Sequence, residues 1–81
     1  MDFQELERRF LEHLRQRVRG GELSERHLAR ITGVSQPHIH NVLKGKRTLS
    51  PDTADLILHI LQLDLLDFIH PDELAQKRES E

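Results

Sequence analysis

Apolar side chains open the chain at Phe3, Leu6, Phe10, Leu14 and Val18, steps of three and four that line one face of an α-helix. Asp2 and Glu5 lie at its start and Arg15, Arg17 and Arg19 near its end, an order that complements the helix dipole. Gly20-Gly21 stops it. Ser24 is placed to cap a second helix carrying Leu28, Ala29 and Ile31, which ends near Gly33. Ser35 caps a third, over 35–44, with Ile39, Val42 and Leu43 inward and Gly45 as its stop. Pro37 falls in the first turn of that helix, where N–H groups have no intrahelical partner to lose. Ser50-Pro51 opens a fourth helix with Ala54, Ile57, Leu58 and Leu61 inward. The run "LDLLDFI" predicts a short fifth helix, with Phe68 on a core face like Phe3 and Phe10. Pro71 then restarts a polar helical tail over 71–81. No alternating strand pattern and no repeat is present, so the expected fold is all-α: five helices forming one domain over 1–70, followed by the tail.

The bulk numbers fit this picture and remove several functional classes. At 81 residues, with 36% hydrophobic and 32% charged residues, the chain has room for one small core. There is no cysteine, which excludes disulfides and thiolate-ligated zinc. The most apolar stretch, "LILHILQLDLLDFI", is interrupted by His59, Gln62, Asp64 and Asp67 and falls short of the roughly 20 residues of a membrane span. His38 and His40, two residues apart, point to different sides of a helix, and no HExxH pair exists, so no metal or other cofactor is expected. Asp64, Asp67, Asp72 and Glu73 have no partner nucleophile and read as a solvated face, not as an enzyme's acid pair. The three aromatics lie on predicted core faces, which disfavours single-stranded RNA, whose bases stack on exposed rings.

Charge is distributed unevenly. The formal net charge is −2, but residues 1–25 carry 5 Arg against 6 acids and residues 48–81 carry 2 bases against 8 acids. Between them, residues 26–47 hold Arg26, Arg30, Lys44, Lys46 and Arg47 and no acid. A polyanion responds to the face it meets, so this basic middle outweighs the acidic total.

The same segment carries a motif. Two short helices crossing steeply need a small residue where they touch, Ala29, and a residue tolerant of positive φ in the turn, Gly33. Ile39 and Val42 then pin the second helix and leave its other face free. The stretch "ELSERHLARITGVSQPHIHNVLKGKRTLSPDTADLILHIL" resembles the Cro and phage-repressor (Xre-type) helix-turn-helix family over roughly residues 22–69. Leu23, Leu28, Ala29, Gly33, Val34, Ser35, Gln36, Ile39, Gly45, Lys46, Arg47 and Ser50 fall on matching positions. The chain departs from the family at Glu25, where a glutamine often contacts phosphate.

The resemblance implies a five-helix repressor-like domain whose third helix enters the major groove of double-stranded DNA. It implies base contacts from Gln36, Pro37, His40 and Asn41: Gln and Asn to adenine, His as a donor to guanine, and Pro37 as an apolar surface for a thymine methyl. Ser35, Lys44, Lys46, Arg47 and Ser50 are then expected on phosphates. The implied role is a cytoplasmic, nucleoid-associated transcription regulator, a repressor by family frequency. An antitoxin of the same fold, or an adaptor that has lost DNA binding, is the alternative, and the acidic C-terminal part is the surface a protein partner would meet. Leu56, Ile60, Leu63, Leu65, Leu66, Phe68 and Ile69 exceed what one face of the fourth helix needs. The surface from Ile60 to Ile69 is therefore expected to form a homodimer interface.

Overall fold

The computed structural model describes residues 2–73. Among them lie four α-helices: α1 (Phe3–Arg19), α2 (Glu25–Thr32), α3 (Gln36–Leu43) and α4 (Pro51–Ile60). They are followed by a 3-10 turn, Leu65–Phe68. The short fifth helix expected from the sequence is thus present as a four-residue 3-10 helix. The predicted tail beyond residue 73 lies outside the described residues.

Local chemistry sets the helix ends. Asp2, Ser24, Ser35 and Ser50 all adopt extended backbone and accept a hydrogen bond from the N–H three residues on, satisfying donors that the helix cannot. At the C-terminus of α1, the Gly21 N–H donates to the Val18 carbonyl and the Glu22 N–H to that of Arg17, with Gly21 at φ +84°. This pair of bonds is a Schellman closure. Helix α4 ends the same way on Gln62 and Leu63, which donate to the carbonyls of His59 and Leu58 at 3.1 and 2.8 Å. Here the left-handed residue is Gln62, at φ +57°, the sole non-glycine with positive φ among the described residues.

Phe10, Leu11 and Leu14 of α1 meet Leu28 of α2, Ile39, Val42 and Leu43 of α3, and Ile57 and Leu58 of α4 in one core. Phe68 completes it, its ring edge-on to Phe10 at 5.8 Å and to His13 at 5.5 Å. Two expectations need correction. Phe3 is 70% exposed: at the first position of α1 it borders an open apolar groove facing α4 and does not enter the core. Phe68, expected at a dimer interface, is only 8% exposed and belongs to the monomer's own core.

Arginines on α1 fasten the bundle together. Arg9 Nη1 donates to the Phe68 carbonyl at 2.8 Å and to Glu73 at 2.7 Å, while its Nε reaches Glu5 at 3.2 Å. Contacts of α1 therefore extend past residue 70 to Glu73. Arg15 donates from Nε to the Leu43 carbonyl at the end of α3 and from Nη1 to Glu12 at 2.9 Å.

Candidate nucleic-acid interface

Helices α2 and α3 are joined through Gly33, which sits at φ +74° and donates its N–H to the Ala29 carbonyl at 3.0 Å. A side chain with a Cβ is strained in that left-handed conformation, which is why glycine stands there. Thr32 adds a brace that the sequence did not signal. Its hydroxyl donates to the Leu28 carbonyl at 2.7 Å and accepts from the Val34 N–H at 3.2 Å. Ala29 is partly buried against the core, and Ile39 and Val42 are buried beneath α3.

The opposite side of α3 is open. Gln36, Pro37, His40 and Lys44 are exposed and Asn41 is half-buried. Gln36, Pro37, His40 and Asn41 line one shallow depression of about 340 Å³ together with Glu25 from α2. All four residues expected on base edges thus share one concave surface. Ser35 Oγ accepts the His38 N–H at 3.3 Å. Capping uses a lone pair of that hydroxyl and leaves its hydrogen free to donate. Ser50 differs: its hydroxyl donates to Thr53 Oγ1 at 2.9 Å while accepting the Thr53 N–H at 3.2 Å. Its hydrogen is therefore engaged with the Thr53 side chain.

The loop after α3 is folded back on the helix. Gly45, at φ +79°, donates to the Val42 carbonyl, and the Lys46 and Arg47 N–H groups both point at the Asn41 carbonyl, at 2.8 and 3.3 Å. This Schellman closure seats two cations at the negative end of the α3 dipole. From the other side, Arg15 holds the Leu43 carbonyl.

Charge pairing is denser on α1 than around the turn and loop, although Arg19 at the end of α1 forms no ion pair among the described residues. On α1, Arg8, Arg9, Arg15 and Arg17 each pair with a carboxylate. Arg26, Arg30, Lys44, Lys46 and Arg47 form no ion pair with a carboxylate among the described residues. Lys44, Lys46 and Arg47 lie at the end of α3 and in the loop that follows it, Arg26 and Arg30 lie on α2, and all five are exposed. One carboxylate does reach this face: Glu25, at the first position of α2, is 3.0 and 3.2 Å from His40 Nδ1.

A family model described as helix-turn-helix matches residues 14–68, well over half of the chain and including all of α2, α3 and α4. The chain belongs to the Cro/Xre-type helix-turn-helix family. That family is one of DNA-binding transcription regulators, and its all-helical architecture is the one seen here. No curated protein and no solved structure gives a significant match. Within the described residues no helix is long and apolar enough to cross a membrane. Nor is any group of three or more His, Asp or Glu arranged there to hold a metal ion.

Among the residues expected at a dimer surface, Ile60, Leu65 and Leu66 are exposed, Leu66 by 61%. Leu63 is partly buried against the core and Ile69 is half-buried, so with Phe68 internal the apolar patch is smaller than the sequence suggested. Leu56 adds to it from α4, at 39% exposure.

Proposed function

We propose that the chain is a sequence-specific, double-stranded DNA-binding transcription regulator, acting as a repressor, with α3 inserted in the major groove. The observation that carries this reading is that Gln36, Pro37, His40 and Asn41 share one concave surface on α3, and that Lys44, Lys46 and Arg47 at the end of that helix are exposed and form no ion pair with a carboxylate among the described residues. Gln36, Pro37, His40 and Asn41 read base edges. Ser35, Lys44, Lys46 and Arg47 contact phosphates and set register. Supported by the exposed Leu56, Ile60, Leu65 and Leu66, the regulator works as a homodimer spanning two half-sites about 34–36 Å apart. An apolar groove bordered by Phe3, Leu6, Ala54, Leu58 and Leu65 adjoins this patch and extends the surface available to a second copy.

Fluorescence anisotropy with duplex DNA at several salt concentrations tests the reading. Log affinity falls linearly with log salt, with a slope of about −0.9 per phosphate neutralised, and the slope shrinks by about one unit in Lys46→Gln or Arg47→Gln. A wild-type chain that binds no duplex at low salt overturns the DNA function and leaves a protein-interaction adaptor, with the acidic C-terminal part as its contact surface.

A further inference from the structure

Glu25 and His40 form a pair that the family resemblance does not require. They are 15 residues apart and belong to different helices, and they meet in the depression that also holds Gln36, Pro37 and Asn41. The Nδ1 atom of His40 sits within 3.2 Å of both carboxylate oxygens, at 3.2 Å from Oε1 and 3.0 Å from Oε2. A carboxylate only accepts hydrogen bonds, so the hydrogen between the two groups is on Nδ1. In a neutral imidazole one ring nitrogen donates and the other accepts, and the bond made at one fixes the role of the other. The Nε2 atom, on the far edge of an exposed ring, is then left with a lone pair and no hydrogen.

We propose that Glu25 is a positioning residue that turns His40 into a hydrogen-bond acceptor toward the major groove. It thereby makes His40 select a base with an exocyclic amino group. In that groove only adenine N6 and cytosine N4 offer a donor, whereas guanine N7 and O6 and thymine O4 are acceptors. An Nε2 lone pair facing guanine or thymine sets acceptor against acceptor, and the nearby carboxylate charge adds to the repulsion. The outcome is the reverse of the guanine contact expected for an unconstrained histidine. It also gives a reason for a carboxylate on a face otherwise left to cations: Glu25 acts through the imidazole on the base and makes no contact with phosphate.

This inference rests on the DNA-binding reading above, and two measurements keep the failures apart. The first needs no DNA. Long-range ¹H–¹⁵N correlation spectra at pH 8, well above the ordinary imidazole value of about 6.5, report which ring nitrogen carries hydrogen. Wild-type His40 is expected to show a protonated Nδ1 and a pyridine-type Nε2. In Glu25→Ala, which leaves Nδ1 without this acceptor, the population moves toward hydrogen on Nε2. A wild-type His40 with its hydrogen on Nε2 overturns the proposal whatever the protein binds.

The second is selection from a random duplex library with the wild type, Glu25→Ala and His40→Ala. The position at which His40→Ala loses its preference identifies the base that His40 meets. There the wild type is expected to favour adenine or cytosine over guanine by about five- to a hundredfold. Glu25→Ala loses that preference while keeping those at the positions read by Gln36 and Asn41. A wild type that selects guanine at that position, or an unchanged profile in Glu25→Ala, overturns the proposal. Enrichment of no sequence by the wild type overturns the DNA-binding reading together with it, even if the spectra show hydrogen on Nδ1.

Discussion

Arg15 of α1 donates a hydrogen bond from Nε to the main-chain carbonyl of Leu43, the last residue of α3. The carbonyls of a helix's last turn have no partner within the helix and carry its negative dipole end. A guanidinium there satisfies one of them and fixes where the helix ends relative to the bundle. Arg15→Met keeps most of the apolar stem but removes this charged bond, which is expected to lower stability by about 1.5–3 kcal/mol in urea unfolding. Arg17→Met removes only an exposed pair with Glu22 at 3.5 Å and is expected to shift stability by less than about 1 kcal/mol. Equal losses in the two variants would mean that Arg15 has no special role in holding α3.

Phe68 and Leu66 lie in the same 3-10 turn but have opposite environments. Phe68→Ala leaves a cavity beside Phe10 and His13 and is expected to cost about 3–5 kcal/mol, a large part of the stability of so small a domain. Leu66→Asp changes a side chain that is 61% exposed and is expected to leave the circular-dichroism spectrum intact while shifting sedimentation toward monomer. A Leu66→Asp chain that sediments like the wild type puts the contact between copies elsewhere.

Gln62 occupies the left-handed position that closes α4, a conformation in which a Cβ is crowded by the following carbonyl. Gln62→Gly keeps the two closing hydrogen bonds and relieves that crowding. The expected gain is about 0.5–1 kcal/mol, visible as a higher thermal midpoint. A lower midpoint would show that the Gln62 side chain makes a contribution larger than the strain.

Acid should loosen the fastening between α1 and the C-terminal turn. Hydrogen bonding from Arg8 above all, with help from Arg9, lowers the Glu5 carboxyl from 4.5 to about 2. The Glu73 carboxyl is likewise lowered, first by its hydrogen bond from Arg9. A carboxyl depressed in the folded state contributes stability that is present above its unfolded value and is lost as pH falls through its folded value. For Glu5 that window runs from 4.5 down to about 2. The urea midpoint of the wild type is expected to fall across this window more steeply than that of a Glu5→Gln, Glu73→Gln double variant. Salt should flatten the difference, since Glu5 and Arg8 face solvent. Parallel pH profiles for the two proteins would remove this account.

The parts of the fold that were legible in the sequence are those governed by local backbone chemistry. Serines at 24, 35 and 50 cap because a short hydroxyl can reach the N–H three residues on, and Gly33 and Gly45 turn because they lack a Cβ. Periodicity failed where its assumptions end. Phe3 keeps the helical spacing but only borders an open groove, and a four-residue 3-10 turn is too short for a period to separate Phe68 from Leu66. Gln62 was hidden because the sequence places no glycine at the end of α4. In the candidate site, the outward set on α3 followed from subtracting the core positions. The Arg15–Leu43 and Glu25–His40 contacts did not, since each joins elements whose mutual placement only the packed bundle defines.

Helix α1 carries both grips, Arg9 on the C-terminal turn and Arg15 on the end of α3. Six residues of α-helix place them about 9 Å apart along the axis. A helical segment of that length behaves as a stiff spar, so the turn proposed to meet a second copy and the helix proposed to enter the groove are coupled mechanically. Whatever tilts one of them tilts the other.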